Sequence, residues 1–143
     1  MSTATVESFV VTPVKGSRRS TFLPRHIRGN IMKAISFENT VYGVMDRICA
    51  AYDGGSWDFF EVSNGAFFMA PAAPTTPVEI SVADNYFRGE MTPAAAGIVA
   101  TLMALSSMAF RHEEDEHLSE AFHCLRDYAG TREDSGLIMR AID

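Results

Sequence analysis

The chain has 143 residues, 47% of them hydrophobic and 21% charged, enough for one domain with a sizeable core, so neither a disulfide nor a metal is needed to hold the fold. Cys49 and Cys124 stand apart, without a C-x-x-C spacing, and read as thiols of a reducing compartment rather than as a disulfide. The net charge of −6 conceals an asymmetry: residues 1–33 carry Lys15, Arg18, Arg19, Arg25, Arg28 and Lys33 against Glu7 alone, a balance of +5, and the rest of the chain carries −11.

Residues 1–20 read as a flexible basic arm, free either to touch a phosphate backbone or to pair with the acidic body, and residues 21–143 as a single domain. The arm lacks the apolar region and cleavage pattern of a secretory peptide. Pro24, Arg25 and His26 follow Arg18-Arg19 where a twin-arginine signal would turn apolar, so the expected location is the cytoplasm. The first helix is marked by Val41, Tyr42, Met45, Ile48, Cys49 and Tyr52, one apolar face at helical spacing, closed by Asp53-Gly54-Gly55. Two strands then flank Asn64-Gly65, a pair that tolerates the positive φ of a tight primed turn. Pro71, Pro74 and Pro77 force a loop, and Val78 to Val82 alternates as a half-buried third strand.

The remainder is helical. Thr92-Pro93 is an N-cap followed by proline at the first helical position. The uncharged run from Pro93 to Phe110 is just long enough to cross a bilayer, but six alanines and three Ser or Thr residues make it a core helix, and no membrane association is expected. That helix serves equally a monomer's core or an interface. An amphipathic helix follows from Asp115 to Ala129, its start favoured by Glu113, Glu114, Asp115 and Glu116 and its stop set by Gly130. A short helix from Leu137 to Ile142 ends the chain. The expected fold class is α+β: a small three-stranded antiparallel sheet, the hairpin around Asn64-Gly65 plus a third strand, packed against several helices.

Chemistry-bearing patterns are sparse. His112, His117 and His123 lie near carboxylates but none forms the i, i+4 pair of a helical zinc site, and HExxH is absent. No G-x-S-x-G elbow surrounds a serine, and Gly54-Gly55 lacks the Lys-Ser/Thr of a phosphate loop. No catalytic residue, metal or cofactor is therefore expected. His26 has no identifiable partner. The hairpin places Trp57, Phe59, Phe60, Phe67 and Phe68 within twelve residues, and adjacent positions point to opposite faces. Either the sheet is covered on both sides, the preferred reading, or one face offers an aromatic patch rimmed by Asp58 and Glu61, suited to a protein partner.

The run from Asp53 to Pro71 resembles the signature of the ArdB/KlcA antirestriction family, small factors that protect incoming DNA from type I restriction enzymes. Ser17-Arg18-Arg19 with Phe22-Leu23-Pro24-Arg25-His26, the Asp84-Asn85-Tyr86-Phe87-Arg88-Gly89-Glu90-Met91 segment, the Ala-rich run, and Leu125-Arg126-Asp127-Tyr128 with Ser135-Gly136 follow in the family's order, covering about residues 17 to 143. The resemblance implies a cytoplasmic antirestriction factor of plasmid or mobile-element type, with a type I restriction complex or an associated host factor as partner. It transfers no catalytic residue. An acidic imitation of DNA is disfavoured: duplex DNA carries one charge per about 1.7 Å, so a stretch of about 30 Å needs roughly 18 negative charges. Here 12 of the 18 acids are offset by bases.

The expected partner surface comprises Trp57, Asp58 and Glu61 of the hairpin with Asp84, Asn85, Arg88 and Glu90, a polar cluster on a connecting segment. No strong DNA binding is expected. The competing reading is a nucleic-acid-binding module that uses the basic arm, with exposed Trp57 and the hairpin aromatics as stacking platforms.

Overall fold

A computed structural model describes residues 8–72 and 76–143. In chain order these form β1 (Val11–Pro13), α1 (Arg18–His26), α2 (Ile31–Ile48), β2 (Trp57–Val62), β3 (Phe67–Pro71), β4 (Val78–Val82), β5 (Phe87–Met91), α3 (Pro93–Arg111), α4 (Glu116–Gly130) and α5 (Ser135–Ile142). Two antiparallel sheets result, β1-β2-β3 and β4-β5, and the fold is α+β as expected.

The strand at Val78–Val82 forms with its predicted bounds, but it pairs with β5, Val82 opposite Phe87 and Val78 opposite Met91. The third strand beside the hairpin is instead β1, with Val11 opposite Val62 and Pro13 opposite Phe60. The basic segment is therefore not a loose arm where it is described: it supplies a strand and, from Arg18, a helix. Residues 1–7 of that predicted arm, and Pro74 of the predicted loop, lie outside the described residues.

The helix read from Val41 begins ten residues earlier, where the Asn30 side chain accepts from the Lys33 N–H, and it ends at Ile48 rather than at the glycines. Gly54 and Gly55, at φ +95° and +96°, belong to the connection into β2. The hairpin turn also differs from a two-residue primed turn. Only Gly65 takes positive φ, +90°, and Val62 N–H donates to Ala66 C=O across a three-residue loop. Asn64 adapts by accepting from the Ala66 N–H through Oδ1, which leaves its own backbone in the ordinary region.

α3 is the centre of the molecule. It begins where expected, with the Thr92 side chain accepting from the Ala95 N–H and Pro93 in the first turn. It has the length and apolarity to cross a membrane, yet twelve of its residues are buried against α2, α4, α5 and β3. The outer edge of β3 is closed by this helix. Thr101 Oγ1 accepts from the Met69 N–H at 3.2 Å and donates to Gly97 C=O at 2.8 Å, so an edge amide that would otherwise be orphaned in the core is satisfied.

Candidate functional site

The hairpin aromatics separate onto two faces, both covered. On one, Phe67 meets Phe22 and Phe37 edge-on and the His26 ring face-on at 4.4 Å, while Phe59 stacks on Phe22 at 4.6 Å beneath the Arg19 guanidinium. On the other, Phe68 lies between Phe60 at 4.8 Å and Tyr128 at 6.0 Å. Trp57 is only 4% exposed; its ring packs on Tyr42 and Tyr52 and its indole N–H donates to the Tyr52 hydroxyl. The ring is thus unavailable as a stacking platform, because an indole fills the space between α2 and the sheet.

Glu61, from the same strand, is a junction between elements. Arg18 donates to its Oε1 at 3.1 Å, and Arg25 and His26 Nε2 donate to its Oε2 at 2.7 and 2.5 Å. These three donors sit on α1 at spacings of seven and one, so one stretch of helix turns two guanidiniums and an imidazole N–H toward one carboxylate. Arg19 reaches Asp58 at 3.7 Å and donates to the Trp57 carbonyl. Much of the segment's basic charge is therefore spent on the protein's own acids.

Burial would raise the Glu61 pKa, but the hydrogen bonds from His26 and Arg25, with their charges, outweigh it and hold the carboxyl at about 2. His26 is lowered, chiefly by burial among the Phe22 and Phe67 rings; Glu61 opposes this, but its charge is already shared with two arginines. Both shifts act in one direction. A histidine that prefers to be neutral stabilises the fold above its ordinary pKa of 6.5, and that contribution falls away as pH drops below it. A depressed carboxyl contributes above 4.5 and loses its contribution as pH falls toward 2. Asp115, lowered by the Lys33 ammonium at 2.6 Å, adds to the same acid limb. Urea midpoints should therefore decline steadily from pH 7 to pH 3. Glu61→Gln should flatten the part below pH 4.5 and cost about 1 kcal/mol at neutral pH, a figure discounted because the carboxyl is 23% exposed. An unchanged pH profile in this variant would remove Glu61 as the acid-sensitive group.

The second predicted cluster lies on β4, β5 and the turn between them. Asp84 is exposed in the turn, and Arg88 pairs with Glu79 across the sheet at 3.0 Å. Glu90 is exposed and faces Glu79 in register. Asn85 is a structural anchor: its Oδ1 accepts from the Phe87 N–H and its amide donates to the Arg140 and Ala141 carbonyls at the end of α5. Gly89 leaves room for the Phe87 ring, which an added Cβ would approach to 3.1 Å. Asp84 and Asn85 also border a groove of about 570 Å³ that includes Phe110, itself 82% exposed.

Both cysteines are free thiols, and among the described residues no three His, Cys, Asp or Glu side chains converge as a metal site. Sequence reasoning selected Glu61 but not Arg18, Arg25 and His26 as its partners, and passed over Tyr86 and Phe110; no local pattern distinguishes these from ordinary surface residues.

The sequence model of a family described as "Antirestriction protein" matches residues 50–143. Two Escherichia coli proteins named antirestriction protein KlcA are similar: one is 38% identical over 137 residues, covering 94% of this chain and 93% of the relative. The other is 36% identical over 133 residues, covering 91% and 92%. YfjX of Escherichia coli strain K12 is 38% identical over 134 residues, covering 93% and 87%. A solved structure superposes over 100% of both chains with a TM-score of 0.87 at 35% identity; it is described as showing that the KlcA and ArdB proteins have a novel fold and antirestriction activity against type I DNA restriction systems in vivo but not in vitro. The chain therefore belongs to the antirestriction protein family.

Proposed function

We propose that this protein protects unmodified DNA by acting, without catalysis of its own, on a type I restriction complex or on a host factor associated with it. The observation that carries this reading is full-length similarity to KlcA and ArdB, whose activity is described as present in vivo but not in vitro. Such a contrast favours a target or helper found in the cell over simple occlusion of DNA. Charge supports a protein partner over a DNA-like disguise, because the exposed acids Asp58 and Glu79 sit beside Arg19 and Arg88 rather than in a continuous acidic track. The partner surface in this reading combines Asp58 and Glu61 on the hairpin with Asp84, Arg88 and Glu90 on the β4–β5 unit; Trp57 and Asn85 hold those segments in place from within.

Plating of unmodified phage on cells with an active type I restriction system tests this directly. Expression of the protein should restore plating while host modification stays unchanged. No recovery with folded, soluble protein present would overturn the antirestriction reading for this chain. Alanine at Asp84 and Arg88 together should reduce protection about tenfold or more, the loss expected when interface contacts worth about 1.4 kcal/mol or more are removed. Full protection by that variant would leave the function standing and remove the site.

A further inference from the structure

The β2–β3 and β4–β5 turns use the same device. In each, an asparagine Oδ1 accepts from the N–H two residues on, at Ala66 and at Phe87, and the asparagine amide donates to helix carbonyls, Cys124 in α4 and Arg140 with Ala141 in α5. The residue after each asparagine takes positive φ: Gly65 at +90° and Tyr86 at +60°. Glycine adopts this conformation freely, and a side chain there is strained. Tyr86 is the one non-glycine residue with positive φ among the described residues.

Among the described residues, no contact of the side chain repays that strain. Tyr86 is 93% exposed, and among the described residues its side chain has no aromatic or hydrogen-bond partner. The turn that bears this bare ring is tied by two hydrogen bonds to α5, so the place of the ring on the surface is set, and an exposed aromatic with only two side-chain torsions is the type of residue that dominates protein interfaces. The β4–β5 unit that presents it carries Glu79, Asp84 and Glu90 against Arg88, a local balance of −2, which disfavours a phosphate backbone or an anionic lipid surface.

We propose that Tyr86 is the anchor of the partner surface, its ring entering an apolar pocket of a protein partner whose rim is basic and pairs with Asp84 and Glu90. The inference rests on the antirestriction reading for its assay and deepens it by naming the residue and the partner's chemistry.

The test compares Tyr86→Gly, Tyr86→Phe and the unsubstituted chain for phage protection and for thermal melting. Tyr86→Gly should melt about 2–4 °C higher because the turn is relaxed, yet protect about thirtyfold less, while Tyr86→Phe protects like the parent. The unsubstituted chain, plated alongside, reports on the antirestriction reading separately from this comparison. Protection by Tyr86→Gly equal to the parent's would overturn the proposal. A lowered melting temperature would also overturn it, by making the ring a structural group. Polarisation of a labelled single-stranded oligonucleotide, bound by the parent and released by Tyr86→Gly, would reassign the ring to nucleic acid.

Discussion

Alanine at position 97 should lower the stability of the fold by roughly 3–5 kcal/mol, although it adds a single methyl group to a helix. A Cβ built on Gly97 would lie 2.3 Å from the Met69 carbonyl oxygen and 2.5 Å from the Ala70 Cα. Both are backbone atoms of β3, so no side chain can rotate away, and α3 must lift off the strand it seals. Lifting it breaks the Thr101 hydrogen bonds to Met69 and disturbs Ala96, Ile98, Ala100 and Leu102, all fully buried. Overpacking alone costs about 1–3 kcal/mol and each orphaned buried group about 1–3 more, so roughly 3–5 kcal/mol is expected from a total stability of about 5–15. Gly136 is the matched control: it lies in α5 with nothing within 4 Å of its would-be Cβ, and alanine there should be neutral or stabilising by up to about 1 kcal/mol. Urea denaturation of both variants decides the point; a Gly97→Ala protein within about 1 kcal/mol of the parent would mean that α3 does not seal the edge of β3 as described.

What the sequence showed and what it hid divide along physical lines. Thr92-Pro93, the alternation from Val78 to Val82 and the amphipathic run from Asp115 to Ala129 are local patterns, and each element formed within a residue or two of its expected bounds. β1 is three residues long and gains its partner from Val62, far along the chain, so nothing local marks it. α1 contains Pro24, and the first turns of α2 expose Ile31, Met32 and Ile35, which put the apolar signal out of phase with the core. β5 is interrupted by Gly89 and read as a loop. The Glu61 junction joins residues 35 to 43 positions apart, a convergence that only the tertiary fold creates. Tyr86 was visible as a letter, but its positive φ, which makes it informative, is not.

Phe67→Ala and Phe68→Ala should each cost about 3–5 kcal/mol, the loss expected when a fully packed phenylalanine is truncated. Equality is the informative part, because neighbouring strand residues point to opposite faces. A sheet wet on one side would make one of the two substitutions cost under about 1 kcal/mol. Here Phe67 and Phe68 are each 2% exposed and each sits inside its own aromatic cluster. The clusters differ in what they hold. Phe67 carries the His26 ring, and with it the face of α1 that reaches Glu61, so its loss should also loosen α1 and speed amide exchange there; Phe68 carries Phe60 and Tyr128 and should spare α1. The two clusters share no aromatic side chain, so the losses should sum to at most about 6–10 kcal/mol in the double variant, less what the adjacent backbone positions couple, against a domain stability of about 5–15. That variant should therefore be the least stable of the three, with a urea midpoint below that of either single variant or no folded baseline at all. A double variant that loses little more than either single one, or exchange in α1 that responds equally to both single substitutions, would show that the two faces are one coupled core and that the sheet does not divide them.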